Sequence, residues 1–148
     1  RLQRLVAEGG DLTLQGEPNS GSSGLGGRVL HTDPEGRFRL IVSRFASDQP
    51  TPVHSHQRWG LECGISGRER FTVWTRVDGG AGAGRAELEV LSDHHIERGD
   101  LGYWYDAPRH IHRQWAEGGE PSCVVILMGG DGSRQHLFDL ENGTCTDA

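Results

Sequence analysis

The hydrophobic and polar positions of this chain alternate in short runs rather than in helical periods. Only residues 1–8 (RLQRLVAE) place apolar side chains, Leu2, Leu5 and Val6, on one helical face, and Gly9-Gly10 ends that segment. Between residues 16 and 27 Gly, Ser, Pro and Asn dominate, which predicts a long loop. From Arg28 onward the pattern predicts strands broken by turns. Asp33-Pro34-Glu35-Gly36 is a turn because Pro presets φ and Gly accepts the positive φ that ends it. Residues 38–45 alternate, with Phe38, Leu40 and Val42 on one side. Further strands are predicted at 60–65, 69–76, 86–91, 101–105, 111–115 and 123–128, with a hairpin tip from Asp78 to Gly84. Many short strands with almost no helical periodicity predict an all-β sandwich or barrel behind a short N-terminal helical segment. No internal repeat is present.

Composition narrows the classes. The 148 residues fit one domain, 1–148, able to bury roughly two-thirds of its unfolded surface without disulfide staples. The formal charge is −6, and all fifteen basic residues are arginines scattered along the chain, which argues against a nucleic-acid partner. The longest apolar run, 123–128, is too short to span a bilayer. Cys63, Cys123 and Cys145 are odd in number and widely spaced, which argues against a disulfide framework or a zinc ribbon and leads us to expect the reducing cytoplasm. The chain opens on Arg1 without a signal-like run. Nothing in the sequence sets the oligomeric state.

The candidate chemistry lies in Thr51-Pro-Val-His-Ser-His-Gln-Arg-Trp-Gly60. His54 and His56 are two apart, so on an extended chain both imidazoles face one way with Cα atoms ~6.5 Å apart. That gap suits two side chains converging on one metal, and Pro50 and Pro52 stiffen the approach. A second segment runs through Arg98-Gly99-Asp100, a strand, and Ala107-Pro108-Arg109-His110-Ile111-His112, offering a third ligand at the start of the next strand. In the run Tyr103-Trp104-Tyr105, alternation sends the tyrosines one way and the tryptophan the other, and either set can line a cavity.

Asp33-Pro-Glu-Gly-Arg-Phe38, Thr51-Pro-Val-His-Ser-His56, Trp59-Gly60, Gly67, Arg98-Gly-Asp100, Ile111-His112 and Gly129-Gly130 resemble, in order, the motifs of cysteine dioxygenase-type cupins, the group that includes 3-mercaptopropionate dioxygenases. The resemblance covers roughly 28–130, the expected barrel core, and leaves 1–27 as helix end and loop. It implies a double-stranded β-helix, or jelly roll. It also implies Fe(II) on His54, His56 and His112, with open positions for substrate and O₂; His112 is chosen over His110 because the family's ligand follows Ile. His110 then becomes a mouth-lining residue that meets substrate. Arg28, 26 residues before His54, matches an arginine that pairs with a substrate carboxylate, a directional contact in a partly dry pocket. Trp59 narrows the pocket and Met128 lines it. Many cupins add a carboxylate ligand four or five residues after the second histidine; Glu62 stands six after His56, on the same face, as a candidate fourth ligand.

The sequence departs from the family on one late strand. A Ser-x-His-x-Tyr arrangement is replaced by Val124, Ile126 and Met128, and the position of the cross-linking cysteine is Leu61. Tyr103 or Tyr105 is the expected source of a substitute catalytic hydroxyl from a neighbouring strand. The implied function is a mononuclear non-haem Fe(II) dioxygenase that inserts oxygen into a small anionic substrate. Three neutral imidazoles leave the metal its full +2 charge, which favours an anionic ligand such as a thiolate. With the polar wall lost, however, cysteine and 3-mercaptopropionate are expected to be poor substrates, and a larger or aromatic one is expected in their place. The alternatives are a cupin using its metal as a Lewis acid for isomerase, lyase or hydrolase chemistry, and a non-catalytic metal-dependent small-molecule binding module.

Overall fold

The computed structural model describes residues 1–12, 17–19 (backbone only), 26–47, 49–56, 58–105, 110–130 and 135–148. Residues Leu2–Glu8 form α1. The helix stops where the Gly9 N–H bonds Leu5 O at 2.7 Å and Gly10 adopts a φ of 67°. The strands are β1 (Glu17–Asn19), β2 (Gly27–Thr32), β3 (Phe38–Phe45), β4 (Val53–His56), β5 (Gly60–Ser66), β6 (Arg68–Arg76), β7 (Gly84–Arg85), β8 (Leu88–Ile96), β9 (Leu101–Trp104), β10 (Ile111–Glu117), β11 (Ser122–Gly129), β12 (Gln135–Asp139) and β13 (Thr144–Asp147).

They form two antiparallel sheets, one in the order β1-β2-β3-β11-β5-β9 and the other β7-β13-β12-β4-β10-β6-β8. From β3 to β6 successive strands change sheet, and from β8 to β12 they do so again. This winding makes the expected double-stranded β-helix. Phe45, Val124, Ile126 and Trp104 of the first sheet bury themselves against Phe71, Val73 and Ile96 of the second, so the sheets pack face to face. On the outer side of the first sheet, Val42, Cys63, Ile65 and Val125 form a separate cluster with Val6 and Leu12. Arg98 ties that cover down by donating to Ile65 O at 2.9 Å and Val6 O at 3.0 Å.

Three expectations change. The strand predicted at 86–91 runs instead through Leu88–Ile96, because the tail of the segment continues to pair with β6, where His95 also bonds Glu117 at 2.7 Å. The predicted loop 16–27 holds a short strand, Glu17–Asn19, paired with the start of β2. Beyond residue 130, β12 pairs with β4 and β13 with β12. Backbone pairing needs no hydrophobic alternation, so these segments gave little signal in sequence. The inner part of the Gly-Ser stretch and the Pro108 turn lie outside the described residues. Among those described, no helix is long and apolar enough to cross a membrane.

Candidate metal centre

His54, His56 and His112 meet inside the barrel. His54 and His56 extend from one face of β4, and His112 stands directly opposite His54 on the adjacent β10. Their ring centroids are 4.4, 4.8 and 5.3 Å apart, and one ligand nitrogen from each lies within 4.8 Å of the others. The Nε2 atoms of His54 and His56 are 3.2 Å apart. Two bonds of about 2.1 Å to one ion, about 90–110° apart, require such a separation.

The electrostatics suit a cation. Burial lowers the pKa of all three imidazoles; His56 is pushed down to about 3 by burial, then by His54 and Arg58. Each is therefore neutral at pH 7, the form that ligates. His54 Nδ1 lies 2.8 Å from Pro52 O, a contact that requires the proton on Nδ1 and leaves the Nε2 lone pair for the centre. His112 is fully buried and neither ring nitrogen has a hydrogen-bond partner. A bare buried imidazole is costly, and a metal ion satisfies it. The three residues fit a metal by number, donor chemistry and spacing.

The wall facing the triad is a row across the first sheet. Register pairs Arg39 with Met128, Met128 with Gly60, and Gly60 with Trp104. Trp104 and Met128 pack in the interior cluster, so the row points inward, Arg39 with it. Trp104 lies with ring centroids 5.0 Å from His112 and 5.7 Å from His56. Its ring also lies on Gly60: a Cβ there would come within 2.0 Å of it. Gly60 is four residues after His56, and an indole covers it.

Glu62 does not join the triad. It lies one layer deeper, accepting from Gln114 Nε2 at 2.7 Å. Tyr103 and Tyr105 are 54% exposed, and their rings pack against each other and against His110, away from the histidines. Alternation resolves toward Trp104 because glycine at position 60 makes room for the indole. The substitute hydroxyl expected of the tyrosines is thus misplaced. His110 is buried against both tyrosines, near enough for its charge to act on His112. Trp59 is half-exposed and covers the end of β11, its carbonyl accepting the Gly129 N–H at 3.0 Å.

Arg28 is also misplaced. It pairs with Val42, whose side chain belongs to the cluster beneath α1, so register puts Arg28 on the outer face. Two arginines not singled out in sequence stand closer. Arg58 is 8% exposed, donates to Gly129 O at 3.4 Å and acts electrostatically on His56. Arg39, in the inward row, has its Nε buried without a hydrogen-bond partner. The signal for Arg39 was its alternation with Ile41 and Ser43; for Arg58 it was only proximity to His56.

No protein-family model matches the chain, and no curated protein matches it in sequence. Solved structures do. A cupin 2 conserved barrel domain protein from Rhodopseudomonas palustris aligns at a TM-score of 0.60 and 13% identity, over 85% of this chain and 78% of that one. An uncharacterized conserved protein with a double-stranded β-helix domain from Klebsiella pneumoniae subsp. pneumoniae MGH 78578 aligns at 0.53 and 18%, over 82% and 80%. Hydroquinone 1,2-dioxygenase PnpCD, in complex with Cd²⁺ and 4-hydroxybenzonitrile, aligns at 0.51 and 12%, over 68% of this chain and 61% of that one. These likenesses establish the fold: the chain is a cupin-type double-stranded β-helix with a three-histidine cluster able to bind a metal.

Proposed function

We propose that the protein is a mononuclear Fe(II)-dependent dioxygenase that inserts oxygen from O₂ into a small anionic substrate. The observation that carries this reading is the set of three neutral, buried imidazoles, one of them bare, facing an enclosed wall of Trp104, Gly60 and Met128. The donor set is compatible with several divalent ions; a redox-active one with open positions supplies activation of O₂ beside a coordinated substrate. The similarity in fold to a dioxygenase supports the class of reaction.

The chain's own residues have assignable tasks. Arg58 and Arg39 bring two guanidinium groups to the inner wall, where a carboxylate or thiolate gains charge-assisted hydrogen bonds in a partly dry site. Trp104 excludes water and offers a flat apolar face to the substrate. Val124, Ile126 and Met128 offer no hydroxyl or imidazole from β11, and Tyr103 and Tyr105 face away. No protein hydroxyl described here replaces the missing polar wall, so cysteine and 3-mercaptopropionate are poor substrates, and a larger or aromatic anion fits better.

The test is anaerobic reconstitution with Fe(II), followed by O₂ uptake with candidate substrates and product detection. Uptake with an aromatic or bulky acid, and little with either thiol, is the expected result. Turnover of a thiol near ~10 s⁻¹ restores an ordinary thiol dioxygenase. Stoichiometric iron without uptake for any substrate favours Lewis-acid chemistry or a binding module.

A further inference from the structure

Beneath the histidines lies a second buried polar group that the proposed reaction does not use. Gln114, two residues after His112 on the same face of β10, donates from one amide nitrogen to Glu62 Oε2 at 2.7 Å and to Glu69 Oε1 at 3.0 Å. Glu62 comes from β5 in the first sheet and Glu69 from β6 in the second, so the cluster bridges the sandwich. Both carboxyl groups are fully buried, and Glu62 Oε1 and Glu69 Oε2 have no hydrogen-bond partner. Burial raises both carboxyls; Glu69 is pushed up to about 8, and Glu62 is raised further by the charge of Glu69.

The surroundings offer little to hold two negative charges. Gln114 on β10 and Ser122 on β11 act on the pair as hydrogen-bonding groups, Gly102 on β9 lies over Glu62, and Ile96 on β8 closes the side. Cys63 and Cys123 sense the carboxyls from the other side of the first sheet and are themselves held protonated. The histidines stand one layer up, about 6.5 Å along β10. They are neutral, so in the metal-free protein they bring no positive charge to the pair; Arg58 acts on His56 from beyond them.

We propose that Glu62 and Glu69 form a proton-binding pair coupled to the metal site, so that loading the three histidines with a divalent cation expels the proton the pair holds in the metal-free protein. The proposal rests on the metal reading above. In the step, one carboxyl O–H bond breaks, the proton passes to solvent, the carboxylate stays, and no electrons move. At a separation of about 10 Å and an effective dielectric of about 20, a +2 charge lowers a carboxyl's proton affinity a few hundredfold. That is enough to ionise one group at neutral pH. The resulting carboxylate offsets half of the charge that three neutral ligands leave uncompensated, and metal affinity rises with pH up to about 8 because of the pair rather than the histidines.

The test is calorimetric titration of metal-stripped protein with Co(II) at pH 7, in two buffers of different ionisation enthalpy. The wild type is expected to release about one proton more per Co(II) than the Glu62→Gln/Glu69→Gln variant, with both binding one equivalent. Equal release from the two overturns the coupling. Failure of the wild type to bind Co(II) overturns the metal site itself, a separate result. Infrared difference spectra need only the wild type, should the double variant fail to fold. The protonated-carboxyl stretch loses intensity, with a carboxylate band gained, on adding Co(II) if the pair is coupled, and is unchanged if it is not.

Discussion

The histidine layer and the carboxyl layer lie two residues apart on β10, and their central residues, His112 and Gln114, differ in how their polar atoms are met. His112 is enclosed by the rings of Phe71, Trp104 and the other histidines, with no hydrogen bond at either nitrogen. Gln114 spends its amide on two carboxyls at once, while Thr51 grips its backbone through bonds of 2.9 and 3.1 Å. His112, with no hydrogen bond at all, awaits something from outside the chain; the carboxyl layer, bonded through one oxygen of each carboxyl and leaving Glu62 Oε1 and Glu69 Oε2 over, ties the two sheets together. The difference teaches which buried polar residues serve a ligand and which serve the fold.

The largest effect is expected from the upper layer. His54→Ala, His56→Ala and His112→Ala each abolish stoichiometric metal binding, whereas His110→Ala retains it; elemental analysis of the four variants decides. Retained metal in His112→Ala would break the comparison. Stability of the metal-free protein sharpens it. Gln114→Leu strands two carboxyls and costs about 2–3 kcal/mol, whereas His112→Leu removes unsatisfied nitrogens and costs less than about 1 kcal/mol. Urea midpoints of both variants measure this.

The pH dependence separates the layers by sign. The histidines bind protons more weakly folded than unfolded, so their contribution is lost as pH falls from their ordinary 6.5 toward the value of about 3 at His56. The carboxyl pair binds protons more tightly folded, so its contribution fades as pH rises from 4.5 toward about 8. The metal-free protein is therefore most stable near pH 6.5. Above that it loses up to about 1.4 kcal/mol per pH unit for each of the two carboxyls, a decline that Glu62→Gln/Glu69→Gln removes; melting curves from pH 5 to 8.5 test it. The smallest contrasts concern the two faces of the first sheet. Once a substrate is in hand, Arg39→Met or Arg58→Met raises KM about tenfold, the loss of roughly one charge-assisted bond, while Arg28→Gln and Tyr103→Phe leave steady-state kinetics within twofold.

The sequence announced His54 and His56 because two residues of spacing on a strand is a geometric statement, whereas the choice of His112 came only from the resemblance. An all-β sandwich or barrel was legible in the alternation from Phe38 to Met128, and the jelly roll in the resemblance. What alternation could not supply was which face is which. The same period of two that paired Tyr103 with Tyr105 was equally compatible with Trp104 as the inner residue, and only the glycine across the sheet at position 60 decides between them. Arg28 failed for a related reason, since its position was inferred by offset along the chain while its face was set by pairing with Val42. Glu62 read as a candidate fourth ligand because its partners, Glu69 and Gln114, stand 7 and 52 positions away along the chain.

All three histidines belong to one sheet, on two hydrogen-bonded neighbouring strands. Breathing of the sandwich, in which the two sheets move apart, therefore changes the height of the cavity without changing the spacing of the ligands. Substrate entry and metal retention become separate mechanical problems, one governed by the gap between sheets and the other by the stiffness of a single β-ladder.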